Sequence, residues 1–296
     1  MAAQTQTASL PSPWNLRRLA RLAALAPHYA ILLFSALVSL LPLAWLISEA
    51  CKPHNEALSF PISFIPSRFA LFDNIQTVLA RVPLLQYFML SLSIVLVLAF
   101  TDILISSLTG FALAKYNFPG KKIVFYFILS TTMITMIVVI VPMYILVRRL
   151  GWVDTFLGLV APSVVSAFGC FFMNTYISQI PSEYMDAARI DGCSEPGIFA
   201  RIILPMCKPA IVTLAVFRFL WEWDNLFWPL IITGKESLRT LPLGLTIFMQ
   251  QLGWIPGMSQ THLLVASLLV TLPVLFVFLI LQKQFMSAMT GTGLKL

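Results

Sequence analysis

Long apolar runs, broken by short polar stretches, make up most of this chain. A helix that crosses a membrane needs about 20 mostly apolar residues. The segments Ala30–Ile47, Phe88–Leu113, Ile123–Val147, Phe156–Ile177, Ala210–Thr233 and Leu263–Leu281 meet that need. Each is predicted to be helical, because lipid offers the backbone no partners and the segment must satisfy its own N–H and C=O groups. Ahead of the first span, Arg17, Arg18 and Arg21 alternate with Leu16, Leu19, Leu22 and Leu25. That spacing predicts a short basic amphipathic helix over Trp14–Leu25, lying on the membrane surface within an N-terminal segment 1–27. The apolar run that follows is too long for a signal-peptide core and has no small-x-small cleavage site, so the first span reads as uncleaved. Residues 28–296 then form one six-span unit, an all-α membrane protein, with no visible internal repeat or low-complexity tract.

Three interruptions are long. Ser48–Tyr87 carries Pro53, Pro61, Pro66 and Pro83, and Gly234–Thr261 carries Trp254, Pro256 and Gly257. The third, residues 179–208, is the longest polar break in the second half of the chain. From Ile180 to Pro209 the sequence is IPSEYMDAARIDGCSEPGIFARIILPMCKP. Ser182 is predicted to cap a helix whose first turn holds Glu183 and Asp186, where acids suit the helix dipole. Gly192 can take the left-handed conformation that stops a helix. Ser194 is placed to cap a second helix, with Glu195 and Pro196 in its first turn and Leu204-Pro205 at its end. The loop is therefore expected to be two short helices bent at Gly192. An ordinary solvated connection and a docking device both fit that pattern.

Composition agrees with a membrane location: 59% of residues are hydrophobic and 10% charged, against about 25% charged in soluble domains. The net charge of +7 comes from basic residues scattered over short loops. That pattern suits membrane topology better than nucleic-acid binding. With the N-terminus inside, the inner segments hold eleven Lys and Arg and the outer ones seven, so both termini and the 179–208 loop are expected in the cytoplasm. Cys51, Cys170, Cys193 and Cys207 form no C-x-x-C pair, and His28, His54 and His262 lie far apart, so no metal site is expected.

Charged residues inside a membrane are costly and usually functional. Asp102 lies within the second span and is expected to find a partner in the bundle interior. Arg218 and Glu222 are four apart in the fifth span and share a helix face. Trp221, Glu222, Asp224, Asn225 and Trp228 offer aromatic faces and hydroxyl acceptors for a sugar, or else an interfacial aromatic belt. Thr132 and Thr135, with Thr131, stand where they would line a wet path, although such residues more often bond their own helix backbone. No G-x-x-x-x-G-K-[ST] occurs, and Gly234-Lys235-Glu236-Ser237 is only a fragment of it. The chain therefore has no P-loop for ATP. An ion-driven carrier would want paired broken helices and an inverted repeat. A membrane enzyme would want a clustered nucleophile and base. The sequence displays neither.

Four motifs resemble one family. Asp186, Ala187, Ala188, Asp191 and Gly192, followed by Ile202, Leu204 and Pro205, resemble the EAA loop of ATP-binding-cassette importer permeases, with Asp186 where Glu is usual. Gly110–Lys122 (GFALAKYNFPGKK) is similar to the family's turn into the third span. Trp221–Thr233 (WEWDNLFWPLIIT) is similar to its fifth-span segment, and Gly291–Lys295 to its tail. The carbohydrate-uptake, MalG-like branch matches best. The resemblance implies the type I importer permease (MetI-like) fold in a bacterial or archaeal cell membrane. It implies a heterodimer with a second six-helix permease, an ATPase dimer holding ATP and Mg, and an external solute-binding protein. It assigns Asp186 to a salt bridge with the ATPase, Ala187 and Ala188 to close packing and Gly192 to the bend, with Glu183 and Asp191 in the same coupling surface. The solute it implies is a di- or oligosaccharide, moved by alternating access, with a glycerol-3-phosphate-like solute as the alternative.

Overall fold

A computed structural model describes residues 13–54, 56 and 63–291, with the backbone alone at 13–24, 26 and 283–291. The expected tail motif therefore lies outside the described residues beyond Gly291. Helix α1 (Pro13–Ala50) runs unbroken through Pro27 and Pro42. The helix expected over Trp14–Leu25 is thus the first part of α1 and not a separate element. The first long interruption folds into α2 (Leu71–Arg81). Its Asn74 side chain, buried, donates to the carbonyls of Ala50 (3.1 Å) and Lys52 (2.9 Å) and so ties α2 to the end of α1. Helix α3 (Leu84–Lys115) is a long, uninterrupted apolar helix with a buried face.

Three of the predicted spans are broken. α4 (Lys121–Thr131) and α5 (Met136–Arg149) meet at 99° across Thr132–Thr135. α6 (Phe156–Val160) passes into a 3-10 turn, Ala161–Ser163, and then α7 (Ala167–Ser178), with a 44° bend. Pro162 in that turn has no N–H to continue an α-helix. The polar loop forms α8 (Glu183–Ile190), α9 (Glu195–Ile198), a π turn (Phe199–Ile203) and α10 (Leu204–Met206). α11 (Lys208–Trp223) leaves that stack at 75°. The fifth predicted span stops at Trp223 and resumes as α12 (Phe227–Ile232). Pro229 lacks the N–H that a continuous helix would send to Asn225. α13 (Leu241–Gln251) occupies the last long interruption, and α14 (Gln260–Gly291) closes the chain. Three helices are each long and apolar enough to cross a membrane, and the bent pairs bring the number up to six.

α3 sits at the centre, packed along α7 and α11, while α14 covers α11, α1 and α2. At one end Phe111, Met173, Ile177, Ile198, Ile203 and Leu214 bury α8–α10 against α3, α7 and α11. At the far end Leu84, Tyr87, Trp223, Leu241, Phe248 and Val265 form a second cluster. The outer faces of α1, α4 and α5 stay apolar and uncovered, as at Phe34, Phe127 and Ile137. That suits surfaces meeting lipid or another apolar chain rather than water.

Candidate functional site

The 179–208 loop folds into an elbow shaped by Gly192 and Pro205. Gly192 takes φ +81°, which side-chain-bearing residues rarely adopt. It ends α8 with paired bonds: Cys193 N–H donates to the Ala188 carbonyl (2.9 Å) and Gly192 N–H to the Arg189 carbonyl (3.0 Å). The expected bend at Gly192 is therefore present. The expected side-chain cap from Ser182 is not made; its carbonyl instead accepts from Met185 N–H (2.9 Å) and Asp186 N–H (3.1 Å). Leu204-Pro205 does not end the second helix. Pro205 cannot donate backward, the preceding turn widens to π, and the stack runs on to Met206.

The two motif alanines part company. Ala188 is buried with Met185 against the chain's own core, while Ala187 is exposed beside Tyr184, Ile190 and Asp191. Glu183 and Pro205 are exposed, and Leu204 is half-buried. Asp186 is exposed and already paired: its Oδ1 lies 2.9 Å from Arg189 Nη1. Arg189 Nε also reaches Glu195 Oε1 at 2.8 Å, and the Tyr116 hydroxyl donates to the other oxygen of Glu195. One guanidinium thus joins α8 to α9, and Glu195 joins both to the end of α3. The Glu195 and Asp186 carboxylates hold the Arg189 pKa above its ordinary value. Sequence spacing flags the Asp186–Arg189 pair, three residues apart, but not Tyr116, which is distant in the chain.

The other candidate residues do not gather into one face. Trp221 is 75% exposed, and Asp224 is exposed. Trp228, grouped with Trp221 as a candidate for the sugar path, is buried, and its Nε1–H donates to the Gly158 carbonyl at 3.0 Å. Its place on α12, past the break, turns it into the bundle. Glu222 pairs with Arg218 at 3.2 Å and accepts from Asn225 Nδ2 at 3.2 Å. Asp102 has its partner in the bundle interior, Arg218, at 3.9 Å. Both expectations for the buried charges therefore hold. Thr132, exposed, donates to its own helix at the Leu129 carbonyl (2.7 Å), and Thr131 does the same at Ile128; Thr135 is exposed in the break. A cavity of about 10 Å³ lies among Ser91, Glu222, Asn225, Trp228 and Thr240. That is room for about one water, far less than a sugar needs; a larger, open groove of about 420 Å³ lies among Asn117, Phe118, Lys121 and Ile123.

Comparison with known proteins agrees with this geometry. The profile of the family described as "Binding-protein-dependent transport system inner membrane component" matches residues 103–291, which include the elbow. The arabinooligosaccharides transport system permease protein AraQ of Halalkalibacterium halodurans is 32% identical, covering 88% of this chain and 93% of its own. The lactose transport system permease protein LacG of Rhizobium radiobacter is 28% identical over 90% and 94%. The sn-glycerol-3-phosphate transport system permease protein UgpE of Brucella abortus is 26% identical over 89% and 95%. In fold, the chain superposes with a TM-score of 0.76 on a chain of a bacterial transporter involved in import of the polysaccharide alginate, at 20% identity over 94% and 100%. The overall fold is thus shared, and the chain belongs to the inner-membrane components of binding-protein-dependent, ATP-binding-cassette import systems.

Proposed function

We propose that this chain forms one half of a sugar passage and is driven through its elbow by a separate ATPase. The observation that carries the coupling role is the elbow's two-sided build. Met185, Ala188, Ile198 and Ile203 fasten it to the ends of α3, α7 and α11, while Tyr184, Ala187, Ile190 and Asp191 stand clear on the other side. A short helix presented this way can seat in a groove of a partner. Movement of that partner then reaches three spans through a packed joint and not through a flexible loop. Asp186 and Glu183 supply charge for the contact. Asp186 must first exchange its Arg189 partner for one on the ATPase, which would hold ATP and Mg. The elbow and both termini lie in the cytoplasm on this reading, in a bacterial or archaeal cell membrane, and a second six-helix permease completes the passage. The exposed apolar faces of α4 and α5 and the exposed Trp221 and Asp224 border it.

The solute is a di- or oligosaccharide delivered by an external binding protein. The names of the arabinooligosaccharide and lactose relatives support this. The glycerol-3-phosphate relative keeps an anionic solute as the second reading, though an exposed acid at Asp224 repels anions. The test is uptake of labelled arabino-oligosaccharide together with ATPase activity in membranes carrying the chain with its partner subunits. Gly192→Pro and Asp186→Lys are expected to keep normal membrane levels and ATP hydrolysis while losing uptake by about tenfold or more. Normal uptake by both variants would remove the elbow from the mechanism.

A further inference from the structure

Besides the Glu49–Lys52 pair at the end of α1, three buried charges, Asp102, Arg218 and Glu222, meet at one place, the break in the fourth span. Between the 3-10 turn and α7, Val164–Ser166 lie outside any helix, and Ser166 is extended (φ −107°, ψ 125°). Backbone groups freed at that depth need partners from neighbouring helices. Side chains supply them from two sides. Thr101 Oγ1 lies 3.2 Å from the Val164 carbonyl, although its one hydrogen has a nearer acceptor in the Val97 carbonyl at 2.9 Å. Asp102 Oδ1 accepts the Ser166 N–H at 2.9 Å. Arg218 Nη2 donates to the Ser163 carbonyl. Asp102 is fully buried, and Ser106 Oγ donates to the same oxygen at 2.9 Å. A Cβ on Gly169 would stand 2.9 Å from that oxygen and 2.5 Å from Ser106 Oγ, so only glycine there lets α7 sit against the carboxylate. Arg218 in turn spans Asp102 at 3.9 Å and Glu222 at 3.2 Å.

We propose that Asp102 and Arg218 are positioning residues that close the backbone break in the fourth span, and that Glu222 serves Arg218 as a counter-ion and does not contact solute. Both oxygens of Glu222 are engaged inside the chain, by Arg218 and Asn225, and its side chain is 5% exposed. The neighbouring Trp221 is 75% exposed. A charge this deep is kept only with partners in place, and here each partner sits beside a group the broken helix left open. The solute clause rests on the transport reading above; the break does not.

Cys170 provides a solute-independent probe, because its buried Sγ lies 3.7 Å from Ser106 Oγ. With Cys51, Cys193 and Cys207 replaced by Ala, alkylation of Cys170 by N-ethylmaleimide is timed in membranes carrying the chain and its partner subunits. Asp102→Asn and Arg218→Gln are expected to react about tenfold faster than the parent, and Glu222→Gln within about twofold of it. The double variant Asp102→Asn/Glu222→Gln, which leaves Arg218 with no carboxylate, is expected to be fastest. Parent-like rates in both neutral variants would overturn the closing role, and a double variant no faster than Asp102→Asn would overturn the counter-ion role. If the neutral variants do not reach the membrane, Asp102→Glu and Arg218→Lys are timed instead; about threefold faster labelling supports the proposal and the parent rate overturns it. For the solute clause, Glu222→Gln is expected to leave the KM for labelled arabino-oligosaccharide unchanged, while a rise of about tenfold would overturn it. If the unmutated complex takes up none, the solute assignment fails, and the Cys170 rates still decide the break.

Discussion

Gly192 shows how much one residue can fix. Its φ of +81° is open to glycine and costly to others, and a Cβ there would meet nothing. The cost of Gly192→Ala is therefore pure backbone strain, about 1–2 kcal/mol, read as a lowered thermal midpoint of the solubilised chain. Gly192→Asn should lose less, because Asn tolerates that region. Asp154, in the connection between α5 and α6, makes the opposite point about charge. Its carboxylate accepts the Gly234 N–H (2.5 Å) and Lys235 N–H (3.1 Å), and those donors hold its pKa below the usual carboxylate range. A depressed pKa gives stability that is fully present above the unfolded value, about 3.9, and lost as pH falls through the folded value. The gap in thermal midpoint between wild type and Asp154→Asn should thus be full at pH 6 and shrink below about pH 4. A gap that does not change with pH would contradict this. At this scale the sequence was legible where spacing is local. Gly192, the Arg218–Glu222 pair and the interior place of Asp102 follow from helix geometry. The bonds that join Tyr116 to Glu195 and Asp102 to Ser166 do not, because they are set by packing between distant segments.

At the scale of elements, the apolar runs marked where the chain can cross a membrane but not where it breaks. The interruptions at Thr132–Thr135, Val164–Ser166 and Asp224–Leu226 sit inside runs that read as continuous helix. Pro162 and Pro229 were visible signals for two of them. Whether a proline kinks a helix or breaks it depends on partners from other helices, which one sequence does not display. Trp228 is the clearest consequence. Read as part of a continuous fifth span, it joins Trp221 on an outward face. On α12 it is buried, with its N–H on the Gly158 carbonyl. Trp228→Phe should cost about 1–3 kcal/mol through the carbonyl left without its donor, and Trp228→Ala about 3–5 kcal/mol. Both are read by thermal unfolding in detergent. Neither should change the KM for solute. A raised KM with unchanged stability would return Trp228 to the passage.

The whole molecule reads as a packed half-shell. Its inside is held by α3 and by a pair of buried charges at a broken helix. Its outer faces on α1, α4 and α5 are apolar and uncovered. The cavity beside Glu222 and Trp228 holds about one water, and on the proposed reading the solute passage is shared between two chains. One feature of the shell faces away from that passage, the elbow, with Ile190 87% exposed at its tip. A photocrosslinking residue at Ile190, in cells making all subunits of the system, tests that role most directly. An adduct with the ATPase subunit is expected from Ile190, and none from Trp254 at the far end of the bundle. An adduct from Trp254 in place of Ile190, or none at Ile190 in an assembled and active complex, would contradict that role.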